Sequence, residues 1–280
     1  MKVGIHLGGV RNGHEVRGVG VHTGELLRAL KSLPKKDELL IEEYNPQGKY
    51  DLVHFTVFKP FVLSIPFVKP APKVFLTIHD LIPLLYPKHY PGGLRGNLIL
   101  MIQKWLVKRN IDVIITISET SKKDICRLLK ISPDLVHVIR LAPRKIFRKL
   151  ENGGWKKEIK KKYKLPERFV LYVGDVNYNK NIPNLVKACE IAGTPLVIVG
   201  KQAAEIETMN LNHSELRHLK SVDFSSVIRL GFVSDNDLVA IYNLATVVVQ
   251  PSYYEGFGLP VLEALACGCS VAVSRIQAHV

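Results

Sequence analysis

Short apolar runs alternate with stretches whose apolar residues recur every three or four positions, and this alternation repeats along the whole chain. In the first half it predicts strands over 2–7, 39–44, 52–55, 74–78, 113–117 and 136–139, with helices over 23–33, 93–109 and 118–129. A glycine-rich turn (Gly8, Gly9, Gly13, Gly18, Gly20) joins the first strand to the first helix. A polar, basic segment follows and carries one short helix. The alternation then restarts, with strands over 169–173, 195–199, 227–230, 246–250 and 270–274 and helices over 182–192, 214–220, 235–244 and 259–267. Strands alternating with helices imply parallel sheets covered on both faces. The expected fold class is α/β, with two Rossmann-like parallel-sheet domains facing a cleft. Their expected bounds are 1–143 and 168–280, joined by a basic linker over 144–167. The chain stops at Val280 soon after a strand, where such a sheet normally continues. The second domain is therefore expected to be incomplete at its C-terminus.

The length of 280 residues suits two domains, and 47% apolar residues can fill two cores. No apolar run reaches the roughly 18 residues of a membrane span. The chain opens directly as a strand, without a signal peptide, which predicts a cytoplasmic location. Cys126, Cys189, Cys267 and Cys269 form no CxxC pair and no metal spacing with His, so they read as reduced thiols. Net charge is +14 and unevenly spread: between Arg144 and Arg168 eleven Lys or Arg stand against three Glu. Such a run suits a solvated helix face, an anionic membrane surface or nucleic acid. No RNA-binding signature or interleaved aromatics accompany it, which disfavours nucleic acid and leaves peripheral contact with the inner face of a membrane as a candidate.

The densest candidate chemistry lies in the run Ser252-Tyr253-Tyr254-Glu255-Gly256-Phe257-Gly258-Leu259-Pro260-Val261-Leu262-Glu263. Gly256 and Gly258 let backbone approach a ligand, and Pro260 suits a first helical turn. Uncapped N–H groups around Phe257 to Leu259 can then face an anion, with Glu255 on one side and Glu263 a turn into the helix. Either carboxylate alone is explained by the helix dipole. The whole run, after a strand and before a helix, is what points to a phosphate-containing ligand. Gly174-Asp175-Val176-Asn177-Tyr178-Asn179-Lys180-Asn181 ends another strand of the same sheet and offers Lys180 as a point charge for a diphosphate. His79-Asp80 ends a buried strand of the first half, and Gly18 and Gly20 can bring amides close to a phosphate or make room for an acceptor. No G-x-G-x-x-G follows the first strand, which disfavours a dinucleotide-dependent oxidoreductase. Asp235-Asn236-Asp237 has the form of a metal-holding D-x-D, but it follows Ser234 at a helix start, where capping explains it.

These residues together resemble the retaining, two-domain GT-B glycosyltransferases of family 4, the large group 1 class. The resemblance is carried by the glycine-rich first turn, Thr77-Ile78-His79-Asp80-Leu81-Ile82-Pro83, Ile115-Thr116-Ile117-Ser118-Glu119-Thr120-Ser121 and Leu171-Tyr172-Val173-Gly174 with Lys180-Asn181. It continues through Leu230-Gly231-Phe232-Val233-Ser234 and the E-x7-E run. It implies a hexosyltransferase that moves mannose or another hexose from a nucleotide-diphosphate sugar to a glycan or lipid-linked acceptor in surface polysaccharide or glycolipid synthesis, with retention, without a metal and without a cofactor. By the same resemblance Glu263 matches the carboxylate on the donor ribose, and Glu255 the one on the donor sugar near the anomeric centre. Gly256, Phe257, Gly258 and Leu259 match the backbone around sugar hydroxyls and distal phosphate, Lys180 the basic residue on the diphosphate, His79 a histidine on the donor sugar and Val233 the nucleobase region, with Gly174 a further donor-binding candidate. Many members carry an arginine near Gly174; this chain has Asp175 and Asn179 there. A nucleotide-sugar-binding remnant without transfer activity is the alternative, motivated by the chain's end at Val280.

Overall fold

Strands as apolar as Val170–Val173 and Leu196–Val199 can be buried on both faces only in a parallel sheet layered between helices. The computed structural model, which describes residues 1–8, 18–33 and 39–279, contains two such sheets. It divides into one unit of Met1–Pro87 and Pro91–Arg140, and a second of Lys88–Tyr90 and Leu141–Val280.

The first unit runs β1 (Lys2–His6), α1 (Gly18–Ser32), β2 (Leu40–Glu43), β3 (Leu52–Phe55), β4 (Lys73–Thr77), α2 (Ile82–Leu85), α3 (Gly93–Asn110), β5 (Val113–Thr116), α4 (Glu119–Leu129) and β6 (Val136–Val138). Its strands are all parallel in the order β2-β1-β3-β4-β5-β6. Val53, Val74, Leu76 and Ile114 are buried at its centre. The serine of Ile117-Ser118-Glu119 caps α4, its hydroxyl accepting from Ser121 N.

The second unit runs α5 (Trp155–Tyr163), β7 (Val170–Val173), α6 (Ile182–Ile191), β8 (Leu196–Val199), α7 (Lys201–Ala204), β9 (Ile228–Leu230), α8 (Asp235–Leu244), β10 (Val247–Gln250), α9 (Leu259–Ala266) and β11 (Val271–Val273). The strand order is β11-β10-β7-β8-β9, again all parallel. Alternate residues of β7 and β8 enter opposite cores: Leu171, Val197 and Val199 on one face, Val170, Tyr172, Leu196 and Ile198 on the other. From β7 the chain builds outward through β8 and β9, then returns to lay β10 against β7's other edge. That reversal makes the β7–β10 boundary a topological switch point, the place at the carboxyl ends of such a sheet where ligands generally bind.

Three local expectations change. Gly18-Val19-Gly20 is the first turn of α1 rather than a loop, with Gly20 buried and Thr23 Oγ1 donating to Val19 O at 3.0 Å. Glycine carries no side chain to clash there, and the following His-Thr-Gly-Glu-Leu-Leu stretch propagates the helix; Gly9 and Gly13 lie outside the described residues. The helix expected over 214–220 is only a 3₁₀ turn at Arg217–Leu219, held by i to i+3 bonds such as Leu219 N to Leu216 O at 2.9 Å. The segment after residue 143 is also not a free connector: Phe147, Ile159 and Leu165 are buried in the second unit's core.

Candidate functional site

The loops leaving β7 and β10 are tied together by backbone and amide bonds. Tyr253 N donates to Asn179 O at 2.8 Å, Asn179 Nδ2 to Tyr254 O at 3.1 Å, and Asn181 Nδ2 to Pro251 O at 3.0 Å. Asn181 sits at φ 58°, a left-handed conformation that Asn tolerates better than most residues. These bonds bring Lys180 against Glu255 across 75 positions of sequence: Nζ donates to both carboxylate oxygens at 2.8 Å.

Glu255 is buried and densely served. Its Oε1 also accepts from Gln250 Nε2 at 2.7 Å and Ser252 Oγ at 2.6 Å, both side chains being buried. Burial pushes its carboxyl up, but the Lys180 charge and hydrogen bonds, with Ser252 and Gln250, outweigh that and hold it below the ordinary value. Glu263, one turn into α9, is also buried but forms no ion pair among the described residues. Tyr242 of α8 donates its hydroxyl to Oε2 at 3.1 Å. Burial therefore dominates and pushes the Glu263 carboxyl up to about 7, with Tyr242 and the more distant Arg144 opposing.

Between the two carboxylates lies the start of α9. Gly258 is its N-cap at φ 95°, a conformation glycine adopts readily and other residues resist, and a Cβ there would lie 2.9 Å from His279 Nε2. Gly258 has no side chain with which to cap this end, and Pro260 occupies the first turn. Gly256 is buried, while Phe257 and Leu259 are half-buried. Gly174 follows β7 at φ 146°, at the same carboxyl end of the sheet. An uncapped helix start flanked by a lysine and two carboxylates can take an anion and, on either side of it, hydroxyl donors.

The remaining candidates are placed differently. Val233 is buried in the core after β9, so its side chain faces packing partners and only its backbone is left for a nucleobase. Asp235 accepts from Arg144 through both oxygens, and Asp237 accepts from Lys162 Nζ at 2.8 Å and Tyr163 hydroxyl at 2.7 Å. Ser234 caps α8. The D-x-D is thus an ion-paired helix start, and among the described residues no group of three or more His, Cys, Asp or Glu could hold a metal.

His79, Gly18 and Gly20 belong to the first unit. His79 follows β4, and its Nε2 lies 3.0 Å from His22 Nδ1 of α1. Burial, reinforced by His22 and His54, pushes the His79 imidazole down to about 3, so it is neutral near pH 7. One of the two facing nitrogens must carry the shared proton, which fixes the tautomer of both rings together.

Pattern reading missed Tyr242, Gln250, Asn181's stapling role and His22. Gln250 had a visible signal, a polar residue ending an otherwise apolar strand five residues before Glu255. Tyr242 and His22 had none, since each acts through a contact between separate elements.

Comparison with known proteins extends this picture. Residues 155–279 match the model of Glycosyl transferases group 1, and residues 6–141 that of Glycosyltransferase Family 4. The serotype-specific mannosyltransferase WbdA of Escherichia coli is 32% identical over 223 residues, covering 77% of this chain and 27% of its own length. The O-antigen chain mannosyltransferase B of Escherichia coli is 29% identical over 216 residues, covering 71% and 52% respectively. The chain thus spans about a quarter to a half of these relatives. Among solved structures, Anabaena HepE in complex with UDP-glucose superposes with a TM-score of 0.65 at 16% identity, over 99% of this chain and 81% of that one. WaaG, a glycosyltransferase involved in lipopolysaccharide biosynthesis, superposes with a TM-score of 0.61 at 11% identity, over 100% and 82%. With one model matching each half and two parallel Rossmann-like sheets, the chain is a GT-B fold glycosyltransferase that resembles the group 1 and family 4 enzymes.

Proposed function

We propose that the chain transfers a hexose, mannose-type in the first instance, from a nucleotide-diphosphate donor to a glycan or lipid-linked acceptor of a surface polysaccharide or glycolipid, with retention of anomeric configuration. The observation that carries this reading is the uncapped start of α9 between Glu255 and Glu263, with Lys180 beside it at the sheet's switch point. The mannosyltransferase relatives support the choice of sugar.

In this reading the diphosphate lies at the α9 N-terminus, where the backbone of Gly256 to Leu259 and Gly174 approach it. Lys180 exchanges part of its contact with Glu255 for phosphate. Glu263 accepts hydrogen bonds from the nucleotide's ribose, and Glu255 from the donor sugar. The backbone at Val233 borders the base. His79 is assigned to the donor sugar on the family pattern, while Gly18 and Gly20, at the start of α1, offer backbone amides to a phosphate or room for an acceptor. The acceptor hydroxyl attacks the anomeric carbon on the face the nucleoside diphosphate leaves; its proton passes to the departing phosphate, so no side-chain nucleophile is required. Charge on the leaving group is met by Lys180 and the helix N-terminus, without a metal.

The test is transfer of labelled hexose from the donor selected by a thermal-shift screen of nucleotide-sugars. Glu263→Ala is expected to raise the donor KM strongly, and Lys180→Ala to lower turnover, with activity unchanged by EDTA. Activity lost to EDTA and restored by manganese would overturn the metal-free step and return attention to Asp235.

A further inference from the structure

Helix α3 carries apolar residues on two opposite faces, and only one of them is packed. Gly96, Gln103, Leu106, Val107 and Asn110 are buried toward the first unit. On the other side Leu94, Leu98, Met101 and Trp105 are 94%, 58%, 68% and 50% exposed. Their spacing of four, three and four residues places them within about 60° of one another around the helix axis, a single stripe along a helix roughly 27 Å long. Four large apolar side chains in one continuous exposed line require a partner to explain them.

The charges beside the stripe select that partner. Arg95 and Arg109 fall on one flank, Lys104 and Lys108 on the other, and the helix contains no Asp or Glu. The Arg109 guanidinium lies over the Trp105 ring at 4.9 Å, pairing an interfacial aromatic with a cation at one end of the stripe. Apolar insertion flanked by lysine and arginine is the chemistry of a helix lying in the plane of an anionic bilayer. A second copy of the chain fits less well, because a two-fold contact through this stripe would set four cations against four with no carboxylate on either helix.

Segment 144–168, more basic still, lacks the apolar half of this arrangement. In α5 Ile159 is buried, Trp155 and Tyr163 are half-buried, and Lys160 and Lys162 are engaged with Glu167 and Asp237. It offers charge but no exposed apolar stripe. We propose that the exposed face of α3, rather than the basic segment, seats the first unit on an anionic lipid bilayer, with Leu94, Leu98, Met101 and Trp105 entering the headgroup region.

The experiment is flotation of the chain with phosphatidylcholine vesicles, alone or with roughly a third phosphatidylglycerol. Binding is expected only with the anionic lipid. Leu98→Glu with Met101→Glu should reduce it to the phosphatidylcholine level, and Lys104→Glu with Lys108→Glu should lower it by roughly tenfold or more. These side chains are largely solvent-facing, so unchanged melting curves are expected for both variants. Brominated lipid should quench tryptophan fluorescence in the wild type, and this quenching should be lost in Trp105→Phe. Three outcomes would overturn the proposal: no anionic-lipid binding by the wild type, quenching that persists in Trp105→Phe, or binding abolished by Lys156→Glu with Lys157→Glu while the α3 variants bind normally. A dimer by sedimentation that Leu98→Glu dissolves would instead assign the stripe to a second copy. No donor or acceptor enters this assay, so its failure leaves the transfer reading standing.

Discussion

Glu255 and Glu263 stand eight residues apart in one run, are equally buried, and differ in almost every other respect. Glu255 is held by a cation, an amide and a hydroxyl, and its charged form is stabilised before any ligand arrives. Glu263 has the Tyr242 phenol among the described residues, and burial pushes its carboxyl up to about 7. Burial costs both carboxylates alike, and the difference lies in the partners supplied. The Glu255 end is preorganised as an anion. At the Glu263 end the charged form is poorly stabilised until hydroxyl donors come to it, as the ribose of a nucleotide would.

The sharpest way to break this contrast is to remove the cation. Lys180→Ala leaves Glu255 buried without its charge partner and is expected to destabilise the second unit by about 3 kcal/mol at pH 7 in chemical denaturation. Adding Glu255→Gln should recover much of that loss; a double variant as unstable as the single would show that Lys180 acts through other contacts. The pH dependence should change sign too. With Lys180 present, Glu255 contributes stability above its ordinary value near 4.5 that is lost as pH falls through its lower folded value. Without Lys180, burial is opposed only by the Ser252 and Gln250 hydrogen bonds, and charging Glu255 becomes unfavourable.

Glu263 provides the opposite slope in the wild type. Its folded value of about 7 lies above the ordinary 4.5, so the folded state binds more protons and stability falls as pH rises through that interval. Glu263→Gln should remove this slope and leave the variant more stable than wild type at pH 8 by on the order of 2 kcal/mol. A wild type whose melting temperature is flat between pH 4.5 and 7.5 while the variant's is identical would contradict the assignment. Smaller again is Ser252→Ala, which removes one of the bonds to Glu255 Oε1 and should cost about 1 kcal/mol, since Gln250 and Lys180 remain.

Much of the frame was legible because its signals are local. Helix α8 starts where Ser234 predicts, and every strand of both sheets was anticipated to within a few residues, since β-branched apolar runs bounded by turn residues have few alternatives. Reading failed where several local outcomes compete. Gly18 and Gly20 favour a turn by composition, yet the residues after them carry the helix back over both glycines. The E-x7-E run was recognisable from its glycines, proline and carboxylates. The unequal state of its two carboxylates was not, because it depends on Lys180 and Tyr242, which the fold brings in from 75 and 21 positions away. The exposed stripe of α3 was hidden for a related reason: apolar residues on both faces read as an ordinary buried helix until packing shows which face is covered.

The central claim is that Glu263 accepts hydrogen bonds from the nucleotide as a carboxylate. The most direct test is calorimetric affinity for the nucleotide-sugar at pH 6 and pH 8, in wild type and Glu263→Gln. A nucleotide-sugar is the right probe, because its diphosphate is esterified at both ends and does not itself titrate in this range. Wild-type binding should tighten roughly tenfold from pH 6 to pH 8 as Glu263 loses its proton, whereas the variant should bind more weakly at pH 8 and show no pH dependence. A Glu263→Gln variant that binds as tightly as wild type at pH 8 would contradict the claim.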